Sequence, residues 1–251
     1  MEPLGLLHDF GGDGPVVHVA HANGFPPGTY QPLAEYLTDR YHVIGLAARS
    51  LWPGSSPTSA PTWHVLANDM VEGLEARGLG GIVGIGHSLG GILTLWAAIH
   101  RPAFFSRVIL IDPVLLLPSC LRTLWLLRRL GLGQRQPLVQ GALRRRRIWP
   151  DQQACYEYLR EKPFFDRWPD SSLTTYVESG THSRPGGQIE LVYPPEWEAH
   201  IFATTPLNIW RDIPHLSSHV LVIRGQFSKA FRPETEARLT HLLPQSQAVM
   251  I

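Results

Sequence analysis

The segment Gly86-His87-Ser88-Leu89-Gly90-Gly91 constrains the fold more than any other part of this 251-residue sequence. A short apolar run, Ile82 to Ile85, precedes it, and a helical pattern, Leu89 to His100, follows it. Glycine at positions 86 and 90 lets neighbouring backbone pass where a Cβ atom would clash, and a strand-to-helix turn of this kind holds its serine hydroxyl exposed. The pattern predicts that Ser88 is a nucleophile. A glycine-rich turn with a capping serine is the simpler alternative.

Apolar runs alternate with helical patterns on both sides of this turn, as a parallel sheet with crossover helices requires. The sequence predicts strands over Val16–Ala20, His42–Leu46, Ile82–Ile85, Arg107–Ile111, Val220–Arg224 and, from its first residues, Ala248–Ile251. It predicts helices over Tyr30–Leu37, Trp63–Arg77, Leu89–His100 and Pro233–Leu243. Between Val114 and about Asn208 no strong strand pattern occurs. We therefore expect a core formed by residues 1–113 and 209–251, and a helical insertion over 114–208.

The composition excludes several classes of protein. With 44% hydrophobic residues the chain can bury a sizeable core, and 22 basic against 21 acidic residues give a net charge of +1, so we expect no nucleic-acid partner. The two cysteines, Cys120 and Cys155, fit neither a disulfide scaffold nor a zinc site, and we expect both to be reduced and buried. No apolar run is long enough to span a membrane, and three acidic residues (Glu2, Asp9 and Asp13) precede the first apolar stretch, Val16 to Ala20. We expect a cytoplasmic protein.

Five features occur in an order typical of one family: the loop His21 to Phe25, the loop Arg49 to Ser56, the helical segment that contains Asp69, the GHSLGG turn, and a strand that ends in Asp112-Pro113. With these features the chain resembles the α/β-hydrolase superfamily of the serine hydrolase type. The resemblance covers nearly all of the chain outside the insertion. It implies a mostly parallel, doubly wound sheet, with the insertion after Asp112 forming a helical lid, or cap, above the nucleophile.

An oxyanion hole is expected beside Ser88. The N–H of Leu89, at the start of a helix, is one donor that the turn itself predicts. The resemblance places the second donor two residues after the loop histidine, at Asn23, with Phe25 as the alternative because Gly24 could shift the register. We interpret His21 as a residue that braces the loop rather than as a base.

The other members of a catalytic triad are harder to find. In the family the acid follows the strand Val220–Arg224, but Lys229 stands there, and an ammonium would repel an imidazolium. We therefore hypothesise that Asp112 is the acid, the alternative being that it only ends a strand and caps a turn; Glu234 is a weaker candidate.

The family's histidine follows the last strand, whereas none of the 12 histidines lies beyond His241. We expect that the chain stops short of this histidine; the competing explanation is lost catalysis.

The insertion is rich in leucine and tryptophan. The large rings are those of Trp149, Trp168, Trp197 and Trp210. Such side chains would suit a mostly apolar acyl or aromatic substrate, and the alternative is that they simply pack the cap on the core. Eight arginines (122, 128, 129, 135 and 144 to 147) and no acidic residue lie between Pro113 and Pro150. They could attract an anionic lipid or an acidic substrate, but a solvated helical face is the interpretation that we favour.

These features together predict an enzyme of the esterase or lipase type. Ser88 would attack an ester or related acyl bond of a mostly apolar small molecule and form an acyl-enzyme, which needs no metal or organic cofactor. The alternative is a ligand-binding protein that keeps the fold and the pocket without turnover. Contact with a membrane surface through the arginine-rich cap is possible but not favoured.

Overall fold

The computed structural model of the protein describes residues 5–251, and its first half alternates strands with helices. The strands are β1 (Leu7–Gly11), β2 (Val16–Ala20), β3 (His42–Leu46), β4 (Ile82–His87) and β5 (Phe105–Ile111). The helices are α1 (Gln31–Ala34), α2 (Trp63–Glu75) and α3 (Leu89–His100). The helix expected over Tyr30–Leu37 is shorter: Tyr30 ends a 3-10 turn, Pro27–Tyr30, and the chain continues in turns from Glu35.

The sequence pattern did not predict β1. This strand pairs antiparallel with β3 and lies at the edge of the sheet, and its first three residues are exposed. An irregularity in the register between Asp9 and Gly11 interrupts the ladder. With exposed residues and a shifted register, β1 lacks the regular alternation that would mark a strand in the sequence.

The insertion after β5 contains helices and a small sheet. Its helices are α4 (Pro118–Arg129), α5 (Pro137–Leu143), α6 (Gln152–Arg160), α7 (Asp170–Gly180) and α8 (Pro195–Ala203). Its strands are β6 (Ile148–Trp149), β7 (Thr181–Ser183) and β8 (Ile189–Leu191), which form an antiparallel sheet in the order β6-β8-β7. The insertion therefore contains helices together with a small sheet that the sequence did not predict. Strands of two or three residues are too short to leave a periodic pattern.

The chain then returns to the central sheet through α9 (Ile209–Asp212), β9 (Val220–Arg224), α10 (Pro233–Leu242) and β10 (Gln247–Met250). The strand order is β1-β3-β2-β4-β5-β9-β10, and every pair except β1 with β3 is parallel. The mostly parallel sheet is confirmed. Because parallel strands end at the same edge, the loops after β2, β4, β5 and β9 meet there.

The main hydrophobic core surrounds α3 and extends into the insertion. Trp197 of α8 and Trp210 of α9 belong to this core, whereas Trp149 lies in a second core with side chains of α6 and α7. Trp149 and Trp197 are each only 1% exposed. Their rings pack the protein and cannot line a substrate chamber. Of the four tryptophans considered above, Trp168 is the one that is only partly buried.

The two cysteines differ in their surroundings. Both are free thiols, but Cys155 is buried whereas Cys120 is exposed on α4, so the expectation of two buried cysteines is wrong for Cys120. The reason is that α4 buries only Leu121. Burial raises the pKa of the Cys155 thiol to about 11. No helix within residues 5–251 is long and apolar enough to cross a membrane.

Candidate active site

Ser88 occupies a strained turn between β4 and α3. Its φ of 54° and ψ of −111° lie far from helical or strand values, and residues other than glycine rarely adopt a positive φ. Its backbone is held on both sides, because its N–H donates to the Ile111 oxygen at 3.0 Å and its oxygen accepts from Val114 N–H at 3.3 Å. Its side-chain oxygen takes part in no hydrogen bond of residues 5–251. The turn therefore fixes the backbone of Ser88 and leaves its hydroxyl free to react.

Two glycines make this turn possible. A Cβ atom on Gly86 would lie 2.4 Å from the oxygen of Gly90, and one on Gly90 would lie 2.0 Å from the oxygen of Ala20. Both distances are far below van der Waals contact. Backbone from β2, β4 and α3 thus meets at these positions with no room for a side chain, as the GHSLGG pattern predicts.

Two candidate oxyanion donors have unused backbone N–H groups. The N–H groups of Leu89 and Asn23 make no hydrogen bond within residues 5–251. The N–H of Phe25, in contrast, donates to the Ala22 oxygen at 3.2 Å. Phe25, the alternative oxyanion donor, is therefore already engaged in its own turn, whereas Leu89 and Asn23 are free.

The side chain of Asn23 is bound on both ends by the insertion. Its Nδ2 donates to the backbone oxygen of Glu198 at 3.0 Å, and its Oδ1 accepts from the Tyr193 hydroxyl at 2.9 Å. The neighbouring Gly24 has a φ of +81°, a conformation that favours glycine. These contacts fix the loop while leaving the Asn23 N–H unused.

A partly buried ion pair supports the same loop. Arg145 donates to Glu198 Oε2 at 2.5 Å and to the Tyr176 hydroxyl at 2.7 Å, and that hydroxyl donates to the Gly24 oxygen at 3.3 Å. Burial lowers the pKa of Arg145, but Tyr176 and Glu198 more than reverse this and raise it above its ordinary value. The guanidinium stays charged. We call Arg145, Tyr176, Tyr193 and Glu198 the clamp.

His21 has no free ring nitrogen. Its Nδ1 donates to the Ala22 oxygen at 2.9 Å, and its Nε2 accepts from Ala48 N–H at 3.0 Å. Burial lowers its pKa to about 4, although the hydrogen bond to Ala22 opposes this. His21 therefore braces the loop and cannot accept a proton from Ser88.

His87 is held by Tyr30, which the sequence did not point to. The Tyr30 hydroxyl accepts from Ala22 N–H at 2.8 Å and lies 2.8 Å from His87 Nδ1. We interpret the second contact as donation by the hydroxyl to Nδ1, and in this tautomer the His87 proton is on Nε2. Burial lowers the pKa of His87, partly offset by the charge of Asp112. Its basic nitrogen is occupied, so His87 is unsuited to act as the base.

Asp112 lies at the end of β5 and bridges to the loop after β9. Its Oδ1 accepts from Gly225 N–H at 3.0 Å, and its own N–H donates to the Ile223 oxygen at 2.8 Å. Its φ of 43° lies in the left-handed region, which aspartate adopts more readily than most residues. Its second carboxylate oxygen makes no hydrogen bond within residues 5–251. One oxygen is thus anchored and the other can orient a histidine.

Neither of the other acid positions offers a carboxylate at the site. Lys229 is exposed in the loop after β9, and Glu234 is exposed in the first turn of α10. Within residues 5–251, no group of three or more His, Cys, Asp and Glu side chains is arranged to hold a metal ion.

Aromatic side chains connect the loop after β2 with the insertion. The Phe25 ring stacks on Trp168, with centroids 5.9 Å apart, and lies 6.1 Å from that of Phe164. Phe227 lies in the loop after β9, and the guanidinium of Arg167, a residue of the insertion, lies 5.3 Å from the centre of its ring. The insertion therefore contacts two of the loops that meet at the carboxyl edge of the sheet.

The chain is similar to known proteins along most of its length. The model of the alpha/beta hydrolase family matches residues 16–248. The curated abhydrolase domain-containing protein AKT2 of Alternaria alternata is 31% identical over 102 residues, which are 41% of this chain and 34% of that protein. The chain thus matches about a third of the length of this curated relative.

Solved structures share the fold at low sequence identity. E-2-(acetamidomethylene)succinate hydrolase has a TM-score of 0.75 at 21% identity, and the match covers 98% of this chain and 85% of that chain. A thioesterase domain from the curacin biosynthetic pathway has a TM-score of 0.71 at 19% identity, covering 98% of this chain and 87% of that chain. At these identities the likeness shows the fold.

Proposed function

The chain belongs to the alpha/beta hydrolase family, and from this premise we propose that it is a serine hydrolase acting on an ester or related acyl bond of a mostly apolar small molecule. The observation that carries the proposal is the strained turn at Ser88, with two unused N–H groups at Asn23 and Leu89. Strain of this kind persists in proteins where function requires it.

In the proposed reaction, Ser88 Oγ attacks the carbonyl carbon, and the N–H groups of Asn23 and Leu89 stabilise the oxyanion. The tetrahedral intermediate expels the alcohol, which leaves with a proton, and the acyl group remains on Ser88 as an ester. Water then attacks this ester and releases the acid. Asp112 orients the histidine that accepts and returns the proton. We assign this role to no histidine of residues 5–251.

The aromatic side chains favour an apolar acyl group. Phe25 follows the proposed oxyanion donor by two residues and packs against Trp168 and Phe164, and Phe164 is 63% exposed. Rings so placed offer an apolar wall next to the carbonyl site. The structural neighbours named above as a hydrolase and a thioesterase support acyl chemistry but not a particular substrate.

The division into a core (1–113 and 209–251) and a cap (114–208) is part of the proposal. In it, the cap covers the nucleophile, and its contacts with the loops after β2 and β9 support this placement. A cytoplasmic location is also proposed, and the two free thiols are consistent with it.

A fluorophosphonate probe, which reacts with activated serines, tests the nucleophile. We expect one adduct, located on Ser88 by peptide mass, absent from Ser88→Ala and retained in Ser56→Ala, which changes an exposed serine. Added imidazole should raise the labelling rate, because it can take the serine proton where no side chain does. No adduct on Ser88 with or without imidazole would overturn the proposal. It would favour a ligand-binding protein without turnover. This is the alternative because no base of residues 5–251 is hydrogen-bonded to Ser88 Oγ.

The role of Asp112 needs its own variant. Asp112→Asn keeps an oxygen that can accept from Gly225 N–H, so the fold should persist, but an amide cannot stabilise an imidazolium. In a chain that turns over an acyl ester, we expect turnover to fall by up to about 10⁴-fold. Unchanged turnover would remove Asp112 from the mechanism.

A further inference from the structure

Helix α4 presents large apolar side chains to solvent. Of its residues only Leu121 is buried, whereas Trp125 and, just after the helix, Leu130 are 54% and 60% exposed, and Leu126 is 49% exposed. Leu126 and Leu130 are four positions apart and therefore lie on one side of the helix. Grouped apolar side chains on a helix surface are typical of a contact surface.

The segment that contains α4 also carries positive charge without ion-pair partners. Of the eight arginines between Pro113 and Pro150, Arg145 and Arg147 pair with Glu198 and Glu196. The other six form no ion pair within residues 5–251: Arg122, Arg128, Arg129, Arg135, Arg144 and Arg146. In a protein with a net charge of +1, these arginines concentrate positive charge on one segment.

Arg128 lacks partners although part of it is buried. Its Nε and Nη2 atoms are shielded from solvent and have no hydrogen-bond partner, and burial lowers its pKa. Because these donors are shielded from solvent, contact with an anionic partner falls to Arg122 and Arg129, whose side chains are exposed on α4.

We propose that α4 binds the surface of an anionic lipid bilayer. Trp125, Leu126 and Leu130 enter the boundary between headgroups and acyl chains, while Arg122 and Arg129 contact lipid phosphates. Exposed leucines distinguish this surface from a site for nucleic acid, which offers arginine its phosphates but does not cover Leu126 and Leu130. The proposal uses no property of Ser88 and stands apart from the proposed hydrolase activity.

Co-sedimentation with vesicles tests the proposal. The protein should bind vesicles of equal parts phosphatidylcholine and phosphatidylglycerol at low salt, and at least tenfold more weakly with phosphatidylcholine alone or in about 0.5 M NaCl. Arg122→Glu/Arg129→Glu should lower the partition coefficient by roughly 20-fold or more. Arg40→Glu/Arg101→Glu changes the net charge equally, at exposed positions outside the cap, and should have little effect.

A second pair of variants tests insertion. Leu126→Ser/Leu130→Ser should lower the partition coefficient at least tenfold without any change of charge. Trp125→Phe should remove most of the fluorescence blue shift that anionic vesicles induce. All substituted side chains are exposed, and far-UV circular dichroism should confirm that each variant is folded.

Three results would overturn the inference. The first is that the wild-type protein fails to sediment with anionic vesicles at low salt, and the second is that the Arg40/Arg101 variant reduces binding as much as the Arg122/Arg129 variant. The third is binding to duplex DNA in place of vesicles. If Arg122→Glu/Arg129→Glu abolished that DNA binding and Leu126→Ser/Leu130→Ser left it intact, the surface would be assigned to nucleic acid.

Discussion

The two sides of the candidate site are built by different means. Around Ser88, backbone packs on backbone: Gly86 and Gly90 leave no space for a side chain, and neighbouring strands bind the turn through N–H and carbonyl groups. Around Asn23, hydrogen bonds of side chains join the loop to the insertion. The Asn23 amide, for example, donates to the backbone oxygen of Glu198, which lies 175 positions further along the chain. The turn at Ser88 is therefore fixed by the sheet, whereas the loop that carries Asn23 depends on the clamp.

This difference separates two kinds of sensitivity to substitution. In a backbone turn without space, any added side chain should cause a large loss of stability. In a loop held by polar side chains, each substitution should cause a smaller loss, because each hydrogen bond contributes only part of the loop's stability. The predictions that follow test this contrast, from the largest expected effect to the smallest.

Gly90→Ala should have the largest effect. Its Cβ atom would lie 2.0 Å from the Ala20 oxygen, so β2 and α3 must separate, and we expect a loss of about 4 kcal/mol or more in the free energy of unfolding, measured by urea denaturation. Gly141→Ala is the control, because nothing lies within 4 Å of its added Cβ on α5, and it should be neutral or stabilising by about 0.5–1 kcal/mol. Equal effects of the two variants would contradict the backbone account of the turn.

Arg145→Met tests the clamp. It leaves Glu198, whose side chain is 13% exposed, without its charged partner, and we expect the free energy of unfolding to fall by about 2–4 kcal/mol. Hydrogen exchange of the Ala22–Phe25 amides should accelerate. Arg147→Met breaks an exposed ion pair with Glu196 and should cost less than about 1 kcal/mol. If the two arginine variants behave alike, the clamp does not support the loop.

His21 gives the loop a dependence on pH. Its pKa is about 4 in the folded protein, against 6.5 for an ordinary histidine, so the unfolded chain binds a proton that the folded chain excludes. The contribution of His21 to stability is complete above about pH 6.5 and is lost as the pH falls toward 4, by roughly 3 kcal/mol. His21→Gln cannot titrate and should flatten the slope of unfolding free energy between these pH values. A slope equal to that of the wild type would rule out this role.

Tyr30→Phe should have the smallest effect. It removes the hydroxyl that joins Ala22 N–H to His87 Nδ1, and we expect a loss of about 1–2 kcal/mol in unfolding free energy. Because that hydroxyl binds the neutral form of His87, its removal should raise the pKa of His87, which NMR titration of the ring measures. A pKa that stays the same would mean that the Tyr30 contact does not hold the imidazole.

The same contrast decides what the sequence could predict. The turn at Ser88 was predictable because its cause is local: Gly86 and Gly90 flank the serine, and α3 begins and ends where the pattern places it, at Leu89 and His100. The clamp was not, since Arg145 and Glu198 are 53 positions apart and their meeting depends on the fold of the insertion.

Weak local patterns explain the remaining misses. The edge strand β1 and the short strands β6 to β8 lack periodicity. Cys120 was expected to be buried from its residue type alone, whereas it lies on α4, which projects most of its side chains into solvent.

Trapping of the acyl-enzyme tests the central claim most directly. After brief incubation with a p-nitrophenyl acyl ester in the presence of imidazole, which supplies the base, and acid quenching, peptide mass spectrometry should find the acyl group on Ser88. Release of p-nitrophenol by Ser88→Ala should drop to the rate that imidazole alone produces. If Ser88→Ala releases p-nitrophenol as fast as the wild type, and no acyl group is found on Ser88, the strained turn does not present a nucleophile and the account is wrong.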